Sequence, residues 1–160
     1  MFAVLDLQVI NMHSFTRNII IRSPIEEVFL FHTDVNNLVR ITPSFIKVII
    51  EHADPAGQGQ QVHVLVKQFG LIPMRMHMEF FLFDYPACLA DRQIKGPFKK
   101  MVQYRYFEDM GGGYTRMRDV FEYELPFGRL GKLAHSLLIR KMIEQMFTHR
   151  QNITKKILEM

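Results

Sequence analysis

Five clusters of turn-forming residues cut the middle of the chain into short pieces, and their spacing restricts the fold more than any other feature. They are Asp54-Pro55-Ala56-Gly57, Gly70-Leu71-Ile72-Pro73, Asp84-Tyr85-Pro86, Gly96-Pro97 and Gly111-Gly112-Gly113. The pieces between Phe45 and Leu125 are rich in β-branched and aromatic residues and read as six consecutive strands. Links this short suit antiparallel pairing, because a parallel pair needs a crossover of about a dozen residues. After Pro126-Phe127-Gly128 the apolar period changes. Leu130, Leu133, Leu137, Leu138, Met142, Met146, Ile153 and Ile157 recur at helical spacing. They predict one final helix of about 30 residues, roughly 45 Å long at ~1.5 Å per residue.

Upstream, His13–Arg22 reads as a further strand. Ser23-Pro24-Ile25-Glu26 has the form of a helix start, with Ser23 as N-cap, Pro24 in the first turn and Glu26 closing a capping box. Val28, Phe29 and Phe31 fall on that first short helix, and Asp34 caps a second, which ends before Pro43. The layout predicts an α+β fold: a curved seven-stranded antiparallel sheet wrapped around a long C-terminal helix. Two short helices lie between strands 1 and 2, closing one end of the wedge between sheet and helix. Such a wedge can enclose a cavity. Residues 12–160 are expected to form this single domain. The regular pattern begins only at Met12, so residues 1–11 are expected to be an extension, with translation starting at Met12.

Bulk properties narrow the function. The single cysteine, Cys88, excludes an intramolecular disulfide framework and suits the cytoplasm. The formal charge of +4 is scattered rather than gathered into a basic stripe, which argues against nucleic acid as partner. No apolar run is long enough to insert into a membrane. The histidines lack metal-ligand spacing, although His63 and His77 could be strand neighbours, and no glycine-rich phosphate loop joins a strand to a helix. Neither a metal nor a cofactor is expected.

The stretch RMRDVFEYELPFG (116–128) holds one informative conflict. On a strand, Met117, Phe121, Tyr123 and Leu125 share an apolar face, and Asp119 shares it too. If Gly111-Gly112-Gly113 is a three-residue hairpin loop, residues whose numbers sum to 224 face one another. Arg105 then lies opposite Asp119, Lys100 opposite Glu124 and Glu108 opposite Arg116, three complementary pairs from one register. The Arg105 fork suits a bidentate grip on the carboxylate. The pair either satisfies itself within the sheet or, with Gln103 and Tyr123, orients the polar end of a ligand.

Met74, Met76, Met78, Phe80 and Leu82 share one parity of the longest strand. With Met101, Met117, Met142 and Met146 they form a candidate wall of adaptable side chains, the alternative being ordinary core filler.

The segments IRSPIEEVFLFHTDVNNLVRITP, QIKGPFKKMVQYRYF and GGGYTRMRDVFEYELPFGRLGKL resemble, in this order, the SRPBCC superfamily. This superfamily is also called START-like or birch-pollen-allergen-like and has the helix-grip fold. The resemblance is to its bacterial polyketide-cyclase-like or ligand-binding branch. It implies a cavity for a small hydrophobic or amphipathic molecule, and leaves the ligand open. Relatives carry Gly-Pro-Phe-x-x-Trp-x-His-x-His-x-Phe in the sixth strand. Here Gly96, Pro97, Phe98 and Phe107 match, whereas Met101 replaces the Trp, and Gln103 and Arg105 replace the two His. Asp119 matches the family's acidic position. An Arg stays protonated, so the substitution favours binding over proton transfer.

The expected ligand-binding residues are therefore Met76, Met78, Phe80, Met101, Gln103, Arg105, Met117, Asp119, Phe121, Tyr123, Met142 and Met146, in a monomer or weak homodimer. Three other readings compete. One is a cyclase or dehydratase acting on a polyketide-like substrate. Another is an interaction module using the outer face at Val102, Tyr104, Tyr106 and Val120. The last is a nearly filled pocket on a regulatory scaffold.

Overall fold

Hairpin chemistry decides the architecture. In a computed structural model, residues 12–68, 72–126 and 132–160 are described. The strands are β1 (His13–Ile21), β2 (Ile46–Ala53), β3 (Gln60–Gln68), β4 (Ile72–Asp84), β5 (Cys88–Lys95), β6 (Lys100–Asp109) and β7 (Thr115–Glu124). The helices are α1 (Ile25–Thr33), α2 (Val35–Ile41) and α3 (Lys132–Leu158). One antiparallel sheet runs in the order β1-β7-β6-β5-β4-β3-β2. Its five hairpins follow the chain, and α1 and α2 carry it from one sheet edge to the other. The expected extension at 1–11, the Gly70-Leu71 part of one turn and Leu130 lie outside the described residues, as does the Leu133 side chain.

The β6–β7 register is the expected one, with Arg105 opposite Asp119 and Lys100 opposite Glu124. The turn is possible because Gly111, Gly112 and Gly113 all adopt positive φ, between 63° and 78°. Arg116 Nη1 meets Glu108 at 2.9 Å, whereas Glu124 takes the neighbouring Lys99 at 2.6 Å.

Three local expectations shift. At α1, Pro24 rather than Ser23 is the N-cap, and the Ser23 hydroxyl donates to Glu27 at 2.9 Å. The extended ψ of 148° at Pro24 delays the helix by one residue. On β4 a bulge between Phe80 and Leu82 inserts a residue, so Phe83 rather than Leu82 packs edge-on against Phe29. On α3, Leu137 and Leu138 are 70% and 60% exposed. The stripe that grips the sheet runs through Ile143, Phe147, Gln151 and Thr154 instead. Asp34 caps α2 as expected, accepting from Asn36 N at 2.9 Å.

Among the described residues the interior holds two apolar clusters. One contains Val48, Val62, Val64, Met78, Met101, Phe121, Tyr123, Ile143 and Phe147. The other contains Ile21, Val28, Phe29, Leu89, Phe107 and Met117, with Leu158 packed against it. Among the described residues no helix is long and apolar enough to cross a membrane.

Candidate functional site

Between the two clusters the inner face turns polar on five elements, β1, β5, β6, β7 and α3. On β7, Asp119 lies between Met117 of one cluster and Phe121 of the other. On β6, Gln103 and Arg105 lie between Met101 and Phe107, and on β1, Arg17 lies between Phe15 and Ile19. On β5, Asp91 follows Leu89 on the same face, in register with Gln103. On α3, Arg150, Gln151 and Thr154 separate Phe147 from Leu158. A polar layer thus crosses the interior from β1 to β5, under α3.

Asp119 is its hub, 2% exposed. Arg105 Nε donates to Oδ1 at 2.9 Å, Gln103 Nε2 donates to Oδ1 at 3.1 Å, and Gln151 Nε2 donates to Oδ2 at 2.8 Å. The expected bidentate fork is therefore replaced by a single guanidinium bond plus two amides, since Gln151 from the helix occupies the second oxygen. A buried carboxylate needs this number of donors to offset its lost hydration.

One side of the layer is the end wall of a cavity of about 440 Å³, enclosed by the concave sheet face, α2 and α3. This is within the usual range for small-molecule sites, roughly 300–1,000 Å³. Apolar lining comes from Val62, Val64, Met76, Met78, Phe80 and Met101 of the sheet and Met142, Ile143 and Met146 of α3, among others. Its polar lining includes His32, Asp91, Gln103, Arg105 and Arg150. Along β6 the lining runs Met101, Gln103, Arg105, and along α3 it runs Met142, Met146, Arg150. Because α3 lies antiparallel to β7 and so runs in the same direction as β6, the charged members of both series meet at one end.

Nine of the twelve expected ligand-binding residues face this cavity: Met76, Met78, Phe80, Met101, Gln103, Arg105, Phe121, Met142 and Met146. Met117, Asp119 and Tyr123 do not. Met117 lies beyond the polar layer, in the cluster under α1. Asp119 sits behind Gln103 and Arg105 and reaches the cavity only through them. Tyr123 is covered by Phe98, Phe121 and His13, with ring centroids 5.2–5.5 Å away.

His32, Asp91 and Arg150 were missed. Arg150 was legible, since it continues the i, i+4 stripe of Met142 and Met146 and breaks an apolar face as Asp119 does. Asp91 was not, because Cys88, Leu89 and Ala90 are all apolar and leave the strand without a clear alternation.

Burial sets the ionisation of these three. It pushes Asp91 up to about 6, against the attraction of Arg105 and Arg150. It draws Arg150 down to about 10, helped by repulsion from Arg105. It holds His32 well below the usual imidazole range, again with repulsion from both arginines. Because the folded protein keeps the Asp91 proton above the ordinary carboxylate range, Asp91 favours folding in acid. That contribution is lost as pH rises through about 6. Asp91→Asn is expected to be more stable than the native protein at pH 7.5, by roughly 1–3 kcal/mol, and equal to it near pH 4. Comparing the two proteins by denaturant unfolding at both pH values cancels the opposing acid destabilisation from His32. Equal stability at pH 7.5 would show that the carboxylate is hydrated.

On the outer face, Tyr104 and Tyr106 stack with centroids 6.0 Å apart. Arg118 covers Tyr106 at 4.7 Å and Arg92 covers Phe81 at 5.4 Å, so the expected apolar patch is partly roofed by guanidinium groups. His63 and His77 are cross-strand neighbours, stacked 4.2 Å apart. No group of three His, Cys, Asp or Glu among the described residues is placed to hold a metal ion.

No family model matches the chain, and no curated protein matches it in sequence. Solved structures match throughout the fold. A START superfamily protein from Mycobacterium smegmatis superposes with a TM-score of 0.71 at 13% identity, covering 92% of this chain and 97% of the other. The Zhui aromatase/cyclase from Streptomyces sp. R1128 gives 0.66 at 19% identity, covering 92% and 94%. A norcoclaurine synthase from Thalictrum flavum gives 0.68 at 13%, covering 92% and 94%. At these identities the likeness is one of fold, and the chain has the START-like helix-grip fold.

Proposed function

We propose that the protein binds a small hydrophobic or amphipathic molecule between the concave sheet and α3. One observation carries this reading: a cavity of about 440 Å³ with mostly apolar walls and a charged group, Asp91, Arg105 and Arg150, gathered at one end. Apolar surface supplies non-directional affinity, and a few polar groups fix orientation. The methionines of β4 and α3 suit a body of variable shape, because unbranched thioethers repack at little cost.

Native mass spectrometry of the freshly purified protein, followed by solvent extraction, tests the proposal. A stoichiometric apolar adduct is expected, or uptake of an apolar dye if the protein is isolated empty. Val64→Phe, which projects a ring into the cavity, is expected to weaken dye uptake by about tenfold or more while the protein still unfolds cooperatively. A clean mass with no dye uptake would overturn the reading.

Asp91 favours a second reading. A carboxyl group held to about 6 beside a cavity can exchange a proton near neutral pH, as acid–base catalysis requires. Turnover of a polyketide-like substrate that disappears in Asp91→Asn would support it.

A further inference from the structure

The polar end of the cavity carries more hydrogen-bond donors than the protein uses. Arg105 spends its Nε on Asp119. Arg150 donates through Nη2 to Thr42 Oγ1 over a long 3.4 Å, and Thr42 itself donates to Leu38 O at 2.6 Å. Arg150 Nε is buried without a hydrogen-bond partner, and Arg150 forms no ion pair with a carboxylate among the described residues. His32, 8% exposed, also borders the cavity and leaves Nε2 without a partner. Guanidinium groups offer five N–H donors each and no acceptor. An unpaired guanidinium in such surroundings is costly, so its retention at the end of an apolar cavity is a mark of recognition rather than of stability.

Resting on the binding reading above, we infer that the ligand is an anionic amphiphile: an apolar body along the methionine wall, ending in a carboxylate or similar oxyanion head held by Arg150, with Arg105 and His32 beside it. A carboxylate head supplies the acceptor lone pairs that these donors lack, and a planar guanidinium matches it in two-bond geometry. An alcohol supplies one oxygen and no charge. A cationic head would face two arginines.

Two carboxylates of the protein also border the cavity. Asp34 is the exposed cap of α2, accepting from Asn36 N at 2.9 Å. Asp91 is at the charged end, facing Arg105 on β6, Arg150 on α3 and, through the layer, Asp119 on β7. Burial already draws Asp91 toward its protonated form. An arriving anion completes that shift, and the carboxyl group then presents an O–H to the head rather than a second negative charge.

The test uses displacement of N-phenyl-1-naphthylamine, an uncharged apolar dye, by dodecanoate, dodecanol and dodecyltrimethylammonium at fixed ionic strength and below micelle formation. The native protein is expected to prefer dodecanoate over dodecanol by about tenfold or more. In Arg150→Gln that preference is expected to shrink by about tenfold, and Arg150→Lys is expected to keep part of it. Cooperative unfolding of each variant shows that it is folded. Equal affinity for dodecanoate and dodecanol would overturn the inference and leave the binding reading intact. So would a preference for the ammonium, or a dodecanoate preference unchanged in Arg150→Gln. Failure of the dye and all three amphiphiles to bind would overturn the binding reading itself.

Discussion

Asp119→Ala is expected to destabilise the protein by on the order of 3–5 kcal/mol, the range for removing one partner from a buried charged network. The carboxylate accepts from Arg105, Gln103 and Gln151 in an interior where it is 2% exposed. Its loss leaves a guanidinium and two amides without their acceptor at once, and each buried unsatisfied donor costs about 1–3 kcal/mol before relaxation. Arg105→Leu is expected to cost less, because two amides still hold the carboxylate. Denaturant unfolding at neutral pH measures both. A loss below about 1 kcal/mol for Asp119→Ala would show that water reaches the layer and that its hydrogen bonds are replaceable.

Phe147→Ala is expected to have an effect of similar size, about 3–5 kcal/mol, for a different reason. Phe147 is 1% exposed and packs against Phe15 of β1 and Phe121 of β7, with centroids 5.5 and 5.2 Å away. It is the large apolar side chain by which α3 is held to the far edge of the sheet. Truncation removes its buried area and leaves a void that the rigid sheet cannot close. A double-mutant cycle with Phe121→Ala is expected to show coupling of roughly 0.5–1.5 kcal/mol, as for other aromatic pairs. Additive effects would mean that the helix is held elsewhere.

The two predictions separate two kinds of interior. Phe147 acts through packing, which is local and insensitive to pH. The polar layer acts through donors and acceptors contributed by β1, β5, β6, β7 and α3, so a change at one member alters the satisfaction of several others. The cavity takes its end wall from that layer, which ties binding chemistry to the same residues that limit stability.

Sequence patterning by itself determined the strand count, the hairpin order, the long helix and the β6–β7 register. Each of these depends on local rules: turn chemistry, period-2 or helical spacing, and charge pairing across a short loop. For the same reason Arg105 opposite Asp119 was readable, since only one glycine loop separates them. The lining by Met76, Met78 and Phe80 was readable up to the bulge, where one inserted residue reversed the faces and moved Phe83 inward. Only the tertiary structure decided that Arg17, Asp91, Gln103, Arg105, Asp119, Arg150 and Gln151 fall in one layer. Their alignment depends on how far α3 slides along the sheet and on the register of β5, where Cys88, Leu89 and Ala90 are all buried and no alternation marks a face. Those quantities are fixed by the packing of Phe147, Ile143 and Leu158 against distant strands. Side-chain volumes across the whole interior set them, and no window of sequence contains them.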